Sequence, residues 1–75
     1  MSMITNAMKN RYIQSIHAEM LRRGFLSEEI PLIIAKTPFE EVMREYPEEQ
    51  MHYAPSDAVN EILACIARNS VRSSI

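Results

Sequence analysis

The sequence predicts an all-α fold: a small single-domain bundle of three to four helices with a short second helix. Three observations support this prediction: apolar residues recur at helical spacing, helix-start and helix-stop residues separate the segments, and no segment shows the sustained alternation of a strand. The chain has 75 residues, 47% of them hydrophobic, which is enough for one core. The expected domain therefore spans residues 1–75, with residues 1–5 and 70–75 frayed.

The first helix is predicted over residues 6–23, where the charged residues fall mostly on one side. Its apolar stripe consists of Ile13, Ile16 and Met20. Gly24 is expected to end the helix, because glycine readily adopts the left-handed conformation that stops a helix. We expect Phe25, the next residue, to pack back on Met20.

The second helix is predicted to open at Ser27, which is a favourable capping residue, with two glutamates in the first turn. Its residues Leu32, Ile33 and Ile34 are consecutive and apolar. On so short a helix such a run predicts burial on most sides. We therefore expect this segment to lie at the centre of the core.

The third helix is predicted from the sequence Thr37-Pro38-Phe39-Glu40. The Thr37 hydroxyl is expected to accept a hydrogen bond from the third helical N–H, while Glu40 reaches back to the Thr37 N–H. Pro38 then occupies the position where a missing N–H has little cost. The helix is expected to run to about Tyr46 with an apolar stripe of Phe39, Val42, Met43 and Tyr46.

Residues 47–53 have two interpretations, a further helical turn that begins at Pro47 or an ordered loop. The last helix is predicted to be capped by Ser56 and to run to about Arg68, with a Ser-rich frayed tail over 71–75. Its apolar stripe is Val59, Ile62, Leu63 and Ile66. The expected core comprises Ile13, Ile16, Met20, Leu32, Ile33, Val42, Val59, Ile62, Leu63 and Ile66.

The composition argues against several kinds of site. A single cysteine, Cys65, excludes an internal disulfide and a cysteine-based zinc site, and it favours a reducing cytoplasm. His17 and His52 lie on different elements without a ligand partner at three or four residues, so no metal site is predicted. The chain has one glycine, hence no phosphate-binding loop, and no apolar run of the roughly 20 residues that span a bilayer. We therefore expect a non-enzymatic protein without a cofactor and without membrane attachment.

The net charge of −2 conceals an asymmetry along the chain. Residues 1–24 have four basic residues and one glutamate, whereas residues 25–50 have seven glutamates and two basic residues. The spacing of the second and third helices suits a helix-turn-helix DNA-binding regulator, which is the alternative function. However, the third helix has Glu40, Glu41 and Glu45 against Arg44, and these carboxylates would repel phosphates. Nucleic acid is therefore an unlikely partner.

The most distinctive segment lies around a proline, in Tyr46-Pro47-Glu48-Glu49-Gln50-Met51-His52-Tyr53. Tyrosine and methionine side chains are common anchors of protein interfaces. The candidate interaction residues are Tyr46, Met51, His52 and Tyr53. The other interpretation is that these residues only cover the core between two helices.

Three segments resemble those of small uncharacterised proteins carried on bacterial mobile elements: Gly24-Phe25-Leu26-Ser27, Tyr46-Pro47-Glu48-Glu49-Gln50-Met51-His52-Tyr53 and Ser56-Asp57-Ala58-Val59-Asn60-Glu61-Ile62-Leu63. The similarity covers most of the chain between Ala18 and Leu63. It implies a bacterial, cytoplasmic accessory protein and assigns no activity to any residue. Together with the composition, it leads us to expect a protein–protein interaction module whose partner is another protein or a second copy.

Overall fold

The structure, a computed structural model, describes residues 3–73 and the side chains of residues 3–69. Within this part of the chain there are five helices and no strand, so the predicted all-α fold is confirmed. In chain order the helices are α1 (Asn6–Arg22), α2 (Ile30–Ala35), α3 (Phe39–Glu45), α4 (Pro47–Gln50) and α5 (Pro55–Ser73). In the same part of the chain, no helix combines the length and the apolar character that a bilayer span requires.

Both ends of α1 are capped. The Thr5 hydroxyl accepts a hydrogen bond from the Met8 N–H at 3.2 Å and begins the helix. At the other end Gly24 has a φ of 102°, and the Phe25 N–H donates to the Met20 carbonyl at 3.1 Å. This pattern is a Schellman motif, so the predicted glycine stop is confirmed.

The predicted start of α2 at Ser27 is corrected by the structure. The Leu26 carbonyl accepts hydrogen bonds from the Glu29 and Ile30 N–H groups at 3.1 and 3.3 Å. The Glu29 carboxylate in turn accepts from the Leu26 N–H at 2.8 Å. This reciprocal pair resembles a capping box in which a backbone carbonyl replaces the hydroxyl. Residues 27–29 therefore form a turn, and α2 itself begins at Ile30, three residues after Ser27.

The burial predicted for Leu32 is wrong, since the residue is 65% exposed. Ile30 and Ile34, four residues apart on one face of α2, are both buried. Residue 32 lies two positions from each of them and therefore on the opposite side of the helix. With six residues, α2 packs against the core on one face.

The capping box predicted for Thr37 is also wrong. The Thr37 N–H and hydroxyl both donate to the Ile34 carbonyl, at 3.0 and 2.7 Å, so they close the end of α2. The hydroxyl accepts a hydrogen bond from the Phe39 N–H at 3.3 Å rather than from the third helical N–H. Because its N–H is already paired, Thr37 offers no donor for Glu40, which is exposed.

The segment after α3 forms the further helical turn that was one of the two interpretations. Pro47 is its first residue and Tyr46 precedes it, with φ −133° and ψ 54°. Tyr46 is 55% exposed, so its predicted place in the apolar stripe of the third helix is wrong. The helix ends one residue earlier than expected, which rotates Tyr46 off the buried face.

Helix α5 begins at Pro55, and its first turn is closed by the Ala58 N–H, which donates to the Ala54 carbonyl at 3.0 Å. Ser56 therefore lies inside the helix and is not its cap, contrary to expectation. The helix continues to Ser73, beyond the predicted end near Arg68. Residues 1, 2, 74 and 75, for which fraying is predicted, lie outside the described residues.

The core lies between α1, α5 and the three short helices. Its buried residues are Tyr12, Ile16, Met20, Ile30, Ile34, Phe39, Met43, Ala58, Val59 and Ile62. Half-buried residues packed against it are Ile13, Phe25, Ile33, Met51, Leu63 and Ile66. The predicted core is confirmed for Ile16, Met20, Val59 and Ile62, whereas Ile13, Ile33, Leu63 and Ile66 are half-buried beside it. In α2 the interior belongs to Ile30 and Ile34 rather than to Leu32, and in α3 it belongs to Phe39 and Met43 rather than to the half-buried Val42.

Arg23, at the end of α1, joins this helix to the beginning of α5. Its guanidinium donates to the Asn60 side chain at 2.7 Å and to the Ser56 carbonyl at 3.0 Å. A further bond to the Glu19 carboxylate, at 2.8 Å, holds the guanidinium in place. The charged arginine thus fixes the position of α5 relative to α1.

Candidate protein-interaction site

Tyr12 lies on the core side of the turn between α4 and α5 and holds this turn in place. Its ring is 8% exposed and stacks on Phe39, with centroids 6.5 Å apart. Its hydroxyl lies 2.9 Å from the Tyr53 carbonyl and 3.0 Å from the Gln50 carbonyl. One hydroxyl proton serves one of these acceptors at a time, while the Gln50 amide donates back at 3.4 Å. The backbone of the turn is therefore anchored to α1.

The importance of Tyr12 was not recognised from the sequence, although a signal was present. Tyr12, Ile16 and Met20 are spaced at i, i+4 and i+8, and all three are buried. This stripe runs beside the predicted one, which begins at Ile13. Ile13 is half-buried, so the buried face of α1 is rotated slightly from the predicted face.

The four candidate interaction residues have different surroundings. His52 and Tyr53 are exposed and line one recess together with Val42. Tyr46 is exposed and opens onto a neighbouring recess formed with residues of α3 and α4, which shares Glu49 with the first recess. Met51 packs against the core. The segment thus covers the core through Met51 and presents its other three candidate residues at the surface.

The recess at Tyr53 continues into a longer groove. Three adjoining recesses form this groove: Gln50 lines all three of them, while Val42 and Ala58 each line two. Together the recesses run between α3–α4 and α5. We call this surface the α3–α5 groove. Its apolar floor comprises Phe39, Val42, Ala58, Ile62 and Cys65. The part between α3 and α5 has a volume of about 260 Å³, slightly below the range of about 300–1,000 Å³ usual for small-molecule pockets.

The rim of the α3–α5 groove is acidic. Glu49, Asp57 and Glu61 line it, and each is exposed. The basic residue among the described lining side chains is Arg68, which lies 3.1 Å from the Glu61 carboxylate and offsets one of these charges. An apolar floor below a carboxylate rim favours occupants that are both apolar and cationic.

Two arginines at the end of α1 are engaged by one carboxylate. Arg22 and Arg23 approach Glu19 to 2.6 and 2.8 Å. The pKa of the Glu19 carboxyl is held below its usual range mainly because Arg22 donates a hydrogen bond to it, and the hydrogen bond from Arg23 adds a smaller effect in the same direction. The same contact raises the pKa of Arg22. These two charges are thus partly neutralised within the fold.

The residues able to bind metal are dispersed. His17 lies between α1 and the α2–α3 segment, while His52 and the half-buried Cys65 belong to the α3–α5 groove. Over the residues that the structure describes, no three His, Cys, Asp or Glu side chains form a cluster able to hold a metal ion.

Comparisons with protein-family models, with curated proteins and with solved structures gave no match to this chain.

Proposed function

We propose that this chain is a non-enzymatic accessory protein that binds another protein through the α3–α5 groove, with Tyr53 and His52 at its edge. The observation that supports this most is the state of Tyr53. Its side chain is 59% exposed, whereas its backbone is held by the buried Tyr12 hydroxyl at 2.9 Å. An aromatic side chain on a fixed backbone loses little entropy on binding, so it is well suited to anchor a partner.

The charge distribution supports a protein partner over a nucleic acid. Glu40, Glu41 and Glu45 on α3 are exposed. Arg22 and Arg23 are engaged by Glu19. A helix that would enter a DNA groove with three carboxylates gains repulsion rather than counterion release.

A binding role is also proposed over catalysis. The Cys65 thiol lines the groove, as Arg68 does, and accepts a long hydrogen bond of 3.9 Å from the Asn69 amide. The groove is open and apolar, as surfaces that receive partner side chains are. We further propose a bacterial cytoplasmic origin, on the basis of the free cysteine and the sequence resemblance to mobile-element proteins.

The test is photo-crosslinking in the native cells. A photoreactive phenylalanine analogue is placed at Tyr53 in one variant and at Leu32 in another. Leu32 is the matched control because it is also a large exposed apolar residue but lies on α2, outside the groove. We expect a discrete adduct from position 53 and none from position 32.

An adduct from position 32 alone would contradict the proposed surface, and the absence of an adduct from both positions would contradict the binding role. The mass of the adduct distinguishes a second copy of this chain from a different protein. Light scattering of the purified protein at several salt concentrations gives the oligomeric state independently.

A further inference from the structure

We propose that the α3–α5 groove receives a basic amphipathic helix of another protein. This inference rests on the proposed function and adds the chemistry of the partner to it. Three features of the described residues support it: the spacing of the floor residues, the charge of the rim, and the lack of a suitable helix on this chain itself.

The α5 side of the floor repeats with helical spacing. Ala58, Ile62 and Cys65 occupy positions i, i+4 and i+7, and all three line the groove. This stripe spans roughly 10 Å along the axis of α5, two turns of a helix. A partner helix that is anchored through residues at the same spacing presents apolar side chains over the same length. The stripe therefore has the length of two helical turns, and the half-buried Cys65 is its most accessible residue.

The wall opposite α5 belongs to α3 and α4. On this side of the groove, Phe39 and Val42 complete the apolar floor, and Tyr53 lies at one end of the groove. Because Tyr12 fixes the backbone at Tyr53, this end of the groove exists before any partner binds. A preformed end wall reduces the ordering cost of association.

The rim selects the charge of the partner. Glu61 lines the recess that contains the apolar floor, whereas Glu49 and Asp57 line the two recesses that adjoin it. Arg68, which lines the floor recess, is already within 3.1 Å of Glu61. Lysine or arginine residues that flank the apolar stripe of a partner helix would meet carboxylates on the rim. The carboxylates of an acidic helix with the same apolar pattern would be repelled by the carboxylates of the rim.

A second copy of this chain does not fit the groove as well. Its basic helix is α1, whose apolar stripe Tyr12, Ile16 and Met20 is already buried within its own fold. Occupation of a second groove by that stripe would require partial unfolding of the donor. We therefore infer that the occupant comes from a different protein.

The experiment uses two designed helical peptides of about 14 residues, long enough to span the two-turn floor. Both have leucine at i, i+3, i+4 and i+7, one with lysine on the polar face and the other with glutamate. Fluorescence anisotropy at low salt measures their binding to the full chain. We expect the lysine peptide to bind at least about tenfold more tightly than the glutamate peptide, because its charge is opposite to that of the rim.

Two double variants of equal net charge locate the interaction. Glu49→Gln with Glu61→Gln removes charge from the groove, whereas Glu45→Gln with Glu48→Gln removes the same charge from the neighbouring recess at Tyr46. We expect the groove variant to weaken the lysine peptide about five- to tenfold and the control variant to weaken it less than about twofold. High salt should reduce this difference.

The inference fails if the lysine peptide does not bind, or if both double variants weaken it equally. It also fails if both peptides bind alike. Equal binding of the two peptides, weakened in both cases by Tyr53→Ala, would remove the charge preference and retain the groove as a protein-binding surface. The proposed function is tested separately by crosslinking at position 53.

Discussion

Tyr12→Phe tests the tie between α1 and the α4–α5 turn, because it removes one buried hydroxyl and little else. The phenyl ring retains the stacking on Phe39 at 6.5 Å and the burial of the aromatic face. The change therefore isolates the hydrogen bonds to the Gln50 and Tyr53 carbonyls. If these bonds position the groove, their loss should affect both stability and binding.

The magnitude follows from the partners left behind. The Gln50 carbonyl also accepts the Tyr53 N–H at 3.1 Å, so it keeps a hydrogen bond in the variant. The Tyr53 carbonyl loses the hydroxyl, and the hydrogen bond between them is only partly buried. The loss therefore lies near the typical net value for a hydrogen bond, about 1 kcal/mol in the free energy of unfolding. For a domain of this size, that corresponds to a Tm lower by about 4–8 °C.

Urea unfolding followed by circular dichroism measures this difference, and Tyr46→Phe is the matched control. Tyr46 loses the same atom, but its side chain is 55% exposed, so its variant should remain within about 0.5 kcal/mol of the original protein. Amide hydrogen exchange at residues 50–54 should also accelerate in Tyr12→Phe alone. Equal stability of the two variants would refute the proposed anchoring of the turn.

Three further predictions concern the fold. Gly24→Ala should lower the free energy of unfolding by about 1 kcal/mol in a urea titration, because the φ of 102° is strained for alanine. Nothing lies within 4 Å of the new methyl group, so the loss reports backbone strain alone. An unchanged free energy of unfolding would contradict this strain. Leu32→Gln should change the same quantity by less than about 0.5 kcal/mol, and a larger loss would mean that Leu32 is buried. Because the folded-state pKa of Glu19 is lowered, its contribution to stability is present above the unfolded pKa and is lost as the pH falls through the folded pKa. Unfolding measured between about pH 6 and pH 3 should thus show a smaller acid loss for Glu19→Gln than for the original protein, and an equal loss would contradict the contribution of this carboxylate.

Helix content and the interior of the longer helices were predictable because they depend on local periodicity. The stripes through Ile16 in α1 and through Val59 and Ile62 in α5 follow helical spacing and are buried. The stop at Gly24 was predictable for a related reason, since its positive φ favours one residue type. These features require knowledge of neighbours within a few residues only.

The short helices were less predictable because several residues compete for the same backbone groups. Thr37 has the side chain of an N-cap, yet its donors serve the last turn of α2. Leu32 stands among apolar neighbours, yet a helix of six residues buries one face. Which group wins depends on packing against distant helices, and spacing along the chain does not contain that information.

The candidate site was predictable in part. The exposed position of Tyr53 agrees with an interface residue, whereas the inward packing of Met51 makes it part of the core. The groove itself was not foreseen, because its floor combines α3 with α5 and its end depends on Tyr12. The hydrogen bonds of Tyr12 join residues that are 38 and 41 positions apart in the sequence. Such contacts become visible only in the tertiary structure.

Amide hydrogen exchange of the photo-crosslinked complex, compared with the free protein, tests most directly whether the α3–α5 groove is the binding surface. Exchange should slow over residues 42–58, which contain the α4 wall, the turn at Tyr53 and the beginning of α5. Residues 30–36, around the exposed Leu32, should exchange as in the free protein. Slower exchange at residues 30–36 with no change over residues 42–58 would contradict the account.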